Sequence, residues 1–320
     1  MYEERYQVDF QNDVYPLNGS YFDEYESLPK TKLLIIVAYW RSGSTFLGDL
    51  LQQNDDTFYS FEPLRGYVVS KGNIDAPENV TQSFNIMRQI LDCNFEEISK
   101  YRDKSVTQYD YRLNNVLKSH CTTFTYCSPK LVENVCRKCE LHVIKTVRLT
   151  LKQAFQFVRT LNYSENVKIV HLVRDPRAIF NSRRNLWLHW CTGNCANLSM
   201  LCERMNDDFK TFMEIKKQFP KNVFRVYYEQ LAFDTINYTR ELYKVLNLKF
   251  SRQVLTFIQI HTSVRAFADF QSPETIRNSR NTISKWYSES SVSEINKIQN
   301  VCKRKEDTHI LSILQLSNEY

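Results

Sequence analysis

Two short polar clusters, each directly behind an apolar run, carry groups that could do chemistry. One is Arg41-Ser42-Gly43-Ser44-Thr45; the other opens with Arg174-Asp175-Pro176 and reaches Ser182. A guanidinium is a rigid fork of donors matched to oxyanions, and the hydroxyls add further donors. A glycine in a strand-to-helix turn lets the turn tighten until backbone N–H groups and a helix start converge on one point, which attracts a phosphate-like anion. The competing reading of the first cluster is an ordinary βα turn, with Ser44 and Thr45 able to cap the helix. A magnesium–triphosphate loop needs several glycines and a terminal Gly-Lys-Ser/Thr. Here one glycine is present and the basic residue precedes it, which disfavours that ligand.

Two more charged residues end apolar runs. Glu62 closes TFYSFEP (57–63). Strand ends on the ligand side of an open parallel sheet carry chemistry. A carboxylate there, among Tyr59, Phe61 and Pro63, is expected to have its basicity raised by desolvation, which suits a general base. A glutamate in a surface loop is the alternative. Lys145, near the end of LHVIKTV (141–147), is costly in a core strand unless its ammonium reaches an anion or water; a snorkelling lysine is the alternative. Arg177, Arg183 and Arg184 read mostly as a solvated basic helix face. Ser182 lies two turns along that helix, about 10–12 Å from its start. One anion meets both Arg174 and Ser182 only if the strand tip folds back beside the helix.

The elements that must position these groups follow from periodicity. Apolar, β-branched runs at 33–39 and 167–173 have the length of buried strands. Phe46, Leu47, Leu50 and Leu51 recur at helical spacing, and Asp175-Pro176 is a strong helix start. Further strands are expected at 57–63, 141–147 and 222–228, and helices at 79–91, 150–161, 198–219, 235–246 and 251–260. The polar stretch 265–285 reads as a lid-like loop, and loops of that length tend to be functional. Trp286 reads as packing. The expected fold class is α/β, a P-loop-like fold with a central, mainly parallel sheet flanked by helices. The chain divides into a lead-in (1–30), one catalytic domain (31–302) and a tail (303–320).

The chain's 320 residues suffice for one large α/β domain. Its net charge of +6 suits an anionic ligand but is too small to indicate nucleic-acid binding. Nine cysteines and five N-x-Ser/Thr triplets, at Asn18, Asn79, Asn162, Asn197 and Asn237, lean towards an oxidising, secretory compartment. Against this, no run of about 18 apolar residues occurs, and the polar start is not a signal peptide. Cys136 and Cys139 have metal-like spacing but no convincing second pair, so disulfide or free thiol is preferred to zinc. Cysteines near 187–202 suggest a clipped loop.

Taken together, WRSGSTFLGDLL followed by FEP, and VKIVHLVRDPRAIFNSR, resemble the two cofactor-phosphate segments of Golgi carbohydrate sulfotransferases, most nearly the galactose/N-acetylglucosamine/N-acetylgalactosamine 6-O-sulfotransferase group. VIKTVRL, FRVYYEQL and TISKWYSESSVSEINKIQNVC add weaker support. The resemblance implies the donor 3′-phosphoadenosine-5′-phosphosulfate (PAPS) and no metal. It implies that Arg41, Ser42, Gly43, Ser44 and Thr45 hold the 5′-phosphosulfate, and Arg174 and Ser182 the 3′-phosphate. Tyr228 would lie near the nucleotide, although a core tyrosine is equally consistent with its position. Related cytosolic sulfotransferases place Lys-Thr-His where this chain has Lys145-Thr146-Val147, so the base must come from elsewhere. Glu62 is the candidate base, Lys145 a stabiliser of developing charge, and Arg148 a contact for an anionic acceptor. The implied partner is a glycan, a glycosaminoglycan or glycoprotein chain, and the implied location the Golgi lumen. Two competing readings are a catalytically inactive glycan-binding relative and a P-loop nucleotide kinase.

Overall fold

The structure is a computed structural model. It describes residues 30–54, 56–67, 80–98, 110–118, 120–121, 127–161, 166–185, 191, 193–262 and 279–303. The lead-in, most of the lid-like loop, most of the tail and the triplets at Asn18, Asn79 and Asn162 lie outside these residues.

Strand β1 (Leu33–Ala38) leads into helix α1 (Ser44–Leu51), and β2 (Thr57–Phe61) follows. Next come α2 (Val80–Leu91), α3 (Asn115–Lys118) and α4 (Pro129–Cys136), then β3 (Leu141–Thr146) and α5 (Leu151–Arg159). β4 (Val167–Val173) runs into α6 (Pro176–Asn185), the long α7 (Leu198–Gln218) and β5 (Val223–Tyr227). The described residues close with α8 (Tyr228–Phe233), α9 (Thr235–Val245), α10 (Arg252–Thr262), α11 (Asn281–Glu289) and α12 (Val292–Lys303). The five strands form one parallel sheet in the order β2-β3-β1-β4-β5.

Strand chemistry explains that order. All six residues of β1 are buried, as a central strand covered on both faces requires. Leu33, Ile35 and Val37 join the core under α2, α4 and α5. Leu34, Ile36 and Ala38 join the opposite core, with Leu47, Leu50 and Leu51 of α1 and Tyr238, Leu242, Phe257 and Ile258 of α9 and α10. The period of two thus sends alternate side chains into two separate cores. The chain leaves β1 toward β2 on one side and leaves β4 toward β5 on the other. The β1/β4 boundary is therefore a topological switch point, where α/β sheets open a ligand crevice at their carboxyl ends.

Helix starts follow local signals. Thr150 and Gln153 form a reciprocal capping box at α5. Asn197 and Asp234 cap α7 and α9 through their side chains. Asp175 Oδ1 accepts from the Arg177 N–H at 2.7 Å, behind Pro176 as the first helical residue. Eight of the nine cysteines pair, as Cys93–Cys136, Cys121–Cys127, Cys191–Cys195 and Cys202–Cys302. Cys136 and Cys139 do not pair with each other, and Cys139 is a free thiol. No helix among the described residues is long and apolar enough to cross a membrane.

Candidate active site

Behind β1 the chain turns within a few residues. Ser42 N–H donates to the Tyr39 carbonyl at 3.0 Å, and the turn then opens α1. Gly43 takes φ +91°, a left-handed conformation only glycine adopts cheaply. A Cβ at this position would stand 2.5 Å from the Tyr228 ring, so the site needs glycine for both conformation and space. Gly43 is the N-cap and makes no side-chain cap bond, whereas Ser44 already belongs to the helix. The expectation that Ser44 and Thr45 cap α1 is therefore corrected: the chain enters through a residue without a side chain. Arg41 also holds a positive φ, 75°. For a residue with a Cβ this stores roughly 1–3 kcal/mol and persists only where the surroundings enforce it.

The second cluster meets the first across the switch point. Arg174, at the tip of β4, donates from Nη1 to the Arg41 carbonyl at 3.0 Å and from Nη2 to the Thr282 carbonyl at 3.3 Å. Arg41 Nε in turn donates to Ser182 Oγ at 3.1 Å. The strand tip thus does fold back beside α6, and Arg41, Arg174 and Ser182 form one contiguous group. Tyr228 backs it: its ring lies 4.2 Å from the Arg174 guanidinium carbon and its hydroxyl 2.6 Å from Thr282 Oγ1. Tyr228 opens α8 rather than ending the strand, which turns its ring onto Gly43.

Two polar atoms at this junction are buried without a hydrogen-bond partner among the described residues, Ser42 Oγ and Arg174 Nε. Buried donors normally find acceptors. Oxyanions are the acceptors such donors lack, so the residues present fit an anionic ligand.

The basic face expected on α6 is corrected. Arg177 is 1% exposed; it grips Asp175 through both carboxylate oxygens and lies 4.2 Å from the Trp286 ring. Arg183 is 3% exposed and donates to the Trp40 and Cys195 carbonyls at 3.2 and 3.0 Å. Arg184 alone is exposed, and it pairs with Glu294 of α12. These arginines bind backbone and acid, so they tie α6 to its neighbours rather than forming a solvated stripe. Trp286 packs, as expected, at 3% exposure.

At the other edge, β2 and β3 run in register with Phe61 opposite Lys145. The Glu62 N–H still bonds the Lys145 carbonyl at 3.0 Å, and the backbone then breaks away with Glu62 at φ 40°. Lys145 Nζ donates to Glu62 Oε1 at 2.6 Å, with side-chain exposures of 2% and 7%, and also sits 4.0 Å from the Phe61 ring centroid. Burial alone would push the Glu62 carboxyl up. The Lys145 ammonium, with Arg148 and Arg65, outweighs it and holds the carboxyl below the usual range. The expectation of raised basicity is therefore corrected. Desolvation is present, but the placement of a lysine 83 positions away against the acid is a tertiary fact with no local signal.

Sequence reasoning missed one group entirely. Tyr39, His171, Arg204 and Asp208 form a polar cluster under the turn. The only sequence signal was the four-residue spacing of Arg204 and Asp208 on α7, which reads as a surface pair.

Comparison with known proteins gives the family. The chain matches a carbohydrate sulfotransferase 1 of Rattus norvegicus at 28% identity over 90% of this chain and 80% of the relative. It matches a carbohydrate sulfotransferase 4 of Mus musculus at 23% identity over 89% and 83%. Among solved structures, a mouse sulfotransferase, SULT7A1, complexed with PAP superposes with a TM-score of 0.49 at 12% identity, covering 92% of each chain. The profile of the sulfotransferase family matches residues 34–252, more than half of the chain, so this chain belongs to the sulfotransferase family.

Proposed function

We propose that this chain transfers a sulfuryl group from PAPS to a hydroxyl, the 6-OH, of a galactose or N-acetylhexosamine residue in a glycan. The observation that carries the reading is the contact of Arg174 with the Arg41 carbonyl and of Arg41 with Ser182. It puts two cationic strand-to-helix segments side by side, as a donor with two anionic ends requires. The relatives named as carbohydrate sulfotransferases support a glycan acceptor.

Arg41, Ser42, Gly43, Ser44 and Thr45 hold the 5′-phosphosulfate; Arg174 and Ser182 hold the 3′-phosphate; Tyr228 flanks the nucleotide. The donor supplies an activated sulfur whose sulfuryl group leaves from a phosphate anion. Glu62 is the general base for the acceptor hydroxyl. Its ion pair with Lys145 keeps it deprotonated but also weakens it as a base. Lys145 resolves the conflict by turning its ammonium toward charge developing on sulfuryl and leaving oxygens. Glu62, relieved of its counterion, then takes the proton. Arg148, at the adjoining loop, contacts an anionic acceptor. No role in the scheme falls to a metal. Four disulfides, with Asn197 and Asn237 exposed, support a Golgi-lumen location.

Labelled-sulfate transfer from PAPS to a panel of galactose- and hexosamine-containing glycans tests this reading. Label appearing in one acceptor class is the expected result. Magnesium-dependent turnover of ATP, or glycan binding with no transfer to any acceptor, overturns it.

A further inference from the structure

Beneath the site, one face of α7 grips two of the loops that carry its residues. Arg204 donates from Nη1 to the Val147 carbonyl at 2.9 Å and from Nη2 to the Leu149 carbonyl at 2.7 Å. These carbonyls flank Arg148, so one guanidinium fixes the backbone on both sides of it. One helical turn on, Asp208 Oδ1 accepts from the Leu151 N–H at 2.8 Å, and Oδ2 accepts from the Tyr39 hydroxyl at 3.2 Å. The Tyr39 oxygen also lies 3.0 Å from His171 Nε2 of β4. Tyr39 begins the donor turn, since its carbonyl accepts from Ser42 N–H. Two neighbouring side chains on one helix therefore hold the loop after β3, the turn after β1 and, through Tyr39, strand β4.

The arrangement is costly. Asp208 is 1% exposed, and burial pushes its carboxyl up against the opposing pull of Arg204, the Leu151 N–H and the Tyr39 hydroxyl. Apolar side chains of like volume commonly replace buried ionic groups with no loss of stability. What apolar side chains cannot do is fix the direction of three backbone groups at once.

We propose that Arg204 and Asp208 are positioning residues that set Arg148 against the Glu62–Lys145 pair and link that setting to the donor turn through Tyr39. This rests on the assignment of Glu62 as the base. The groups that act on Glu62 are Lys145 from β3, Arg148 from the braced loop and Arg65 from beyond β2, and the Tyr59 phenol feels the Glu62 charge in turn. Among them Arg148 lies between the backbone groups the brace holds.

Arg204→Lys keeps the charge but cannot span two carbonyls, and Asp208→Asn keeps an acceptor for Leu151 but not the acid. Each is expected to lower kcat/KM for the acceptor by about tenfold or more through misplacement of a reacting-site group. The donor Kd, measured by calorimetry, stays within about twofold of wild type in Arg204→Lys, because that variant leaves the cationic donor groups and the Tyr39–Asp208 bond in place; Asp208→Asn turns an amide N–H2 toward the Tyr39 hydroxyl and shifts the donor Kd as well. Tyr39→Phe removes the hydroxyl that meets Asp208 and His171, leaves the Arg204 clamp on Val147 and Leu149 intact, and shifts the donor Kd instead. An activity-free readout is the Glu62 carboxyl titration, followed by carbon-13 NMR of glutamate-labelled protein and assigned with Glu62→Gln. It moves up toward the ordinary carboxylate range in the Arg204 and Asp208 variants. If that titration stays put, the brace is refuted whether or not sulfate is transferred. If it moves while no protein transfers sulfate, the brace stands and the functional reading falls.

Discussion

The two halves of the site solve opposite electrostatic problems. At the β1/β4 switch point, Arg41 and Arg174 converge on backbone carbonyls and a hydroxyl, and the adjoining acid Asp175 is taken up by Arg177. At the β2/β3 edge, a lysine and a glutamate neutralise each other at 2.6 Å. The first half gathers two guanidiniums at helix starts and is suited to hold an anion. The second is balanced at rest and changes only when something displaces one partner. On the proposed function one half is a receptor and the other a trigger, and both lie at the carboxyl edge of the same parallel sheet.

The largest expected effect cuts the trigger from the receptor. Glu62→Gln lowers kcat by about 10²–10⁴, the usual worth of a positioned base, while donor affinity by calorimetry stays within a few-fold. Because removing one partner of a buried pair costs about 3–5 kcal/mol, the donor titration doubles as the check that the variant is folded. Full activity in Glu62→Gln rejects the assignment. Next in size, Arg174→Ala weakens the donor by about 10²-fold, the scale of a lost charge-assisted contact, with kcat at saturating donor much less affected. A fall in kcat with unchanged donor Kd would erase the distinction between the halves.

The smallest effect concerns an acid inside the receptor. Glu229 accepts from the Asp175 N–H at 2.9 Å, and burial, reinforced by the Asp175 charge, pushes its carboxyl up to about 7. The folded protein therefore keeps a proton that the unfolded chain releases at the ordinary glutamate value. The stability this adds is complete at acid pH and is lost as pH rises through about 7. Glu229→Gln is expected to remove on the order of 3 kcal/mol of that dependence, read from denaturation midpoints at a series of pH values. Asp49, which burial also pushes up to about 7, leaves a residual slope. An unchanged slope in Glu229→Gln places the titrating acid elsewhere.

The receptor was legible in the sequence and the trigger only half so. The strands at 33–38, 57–61, 141–146, 167–173 and 223–227 fall nearly residue for residue where apolar runs end in polar clusters. Arg41 to Thr45, Arg174 and Ser182 stood out because each belongs to a local strand–turn–helix unit whose chemistry is written in adjacent residues. Glu62 and Lys145 were each visible at a strand end, but their contact depends on β2 lying beside β3 in one register, a non-local fact. The sign of the Glu62 shift was lost with it. The burial of Arg177 and Arg183 is hidden for the same reason: Trp286 of α11 covers Arg177 from about a hundred residues later, and Arg183 ties to the carbonyls of Trp40, just beyond β1, and Cys195.

That delay has a consequence for how the protein comes to exist. Arg174 shares its guanidinium between Arg41 and Thr282, a residue 108 positions downstream. During synthesis the five strands can assemble and bury both cores before α11 leaves the ribosome. The nascent sheet then carries a half-built anion cradle, with Tyr228 lacking its hydroxyl partner and Arg177 its indole cover. On the proposed function, donor recognition waits for α11, and a nascent chain can be folded in its sheet before it is competent to bind.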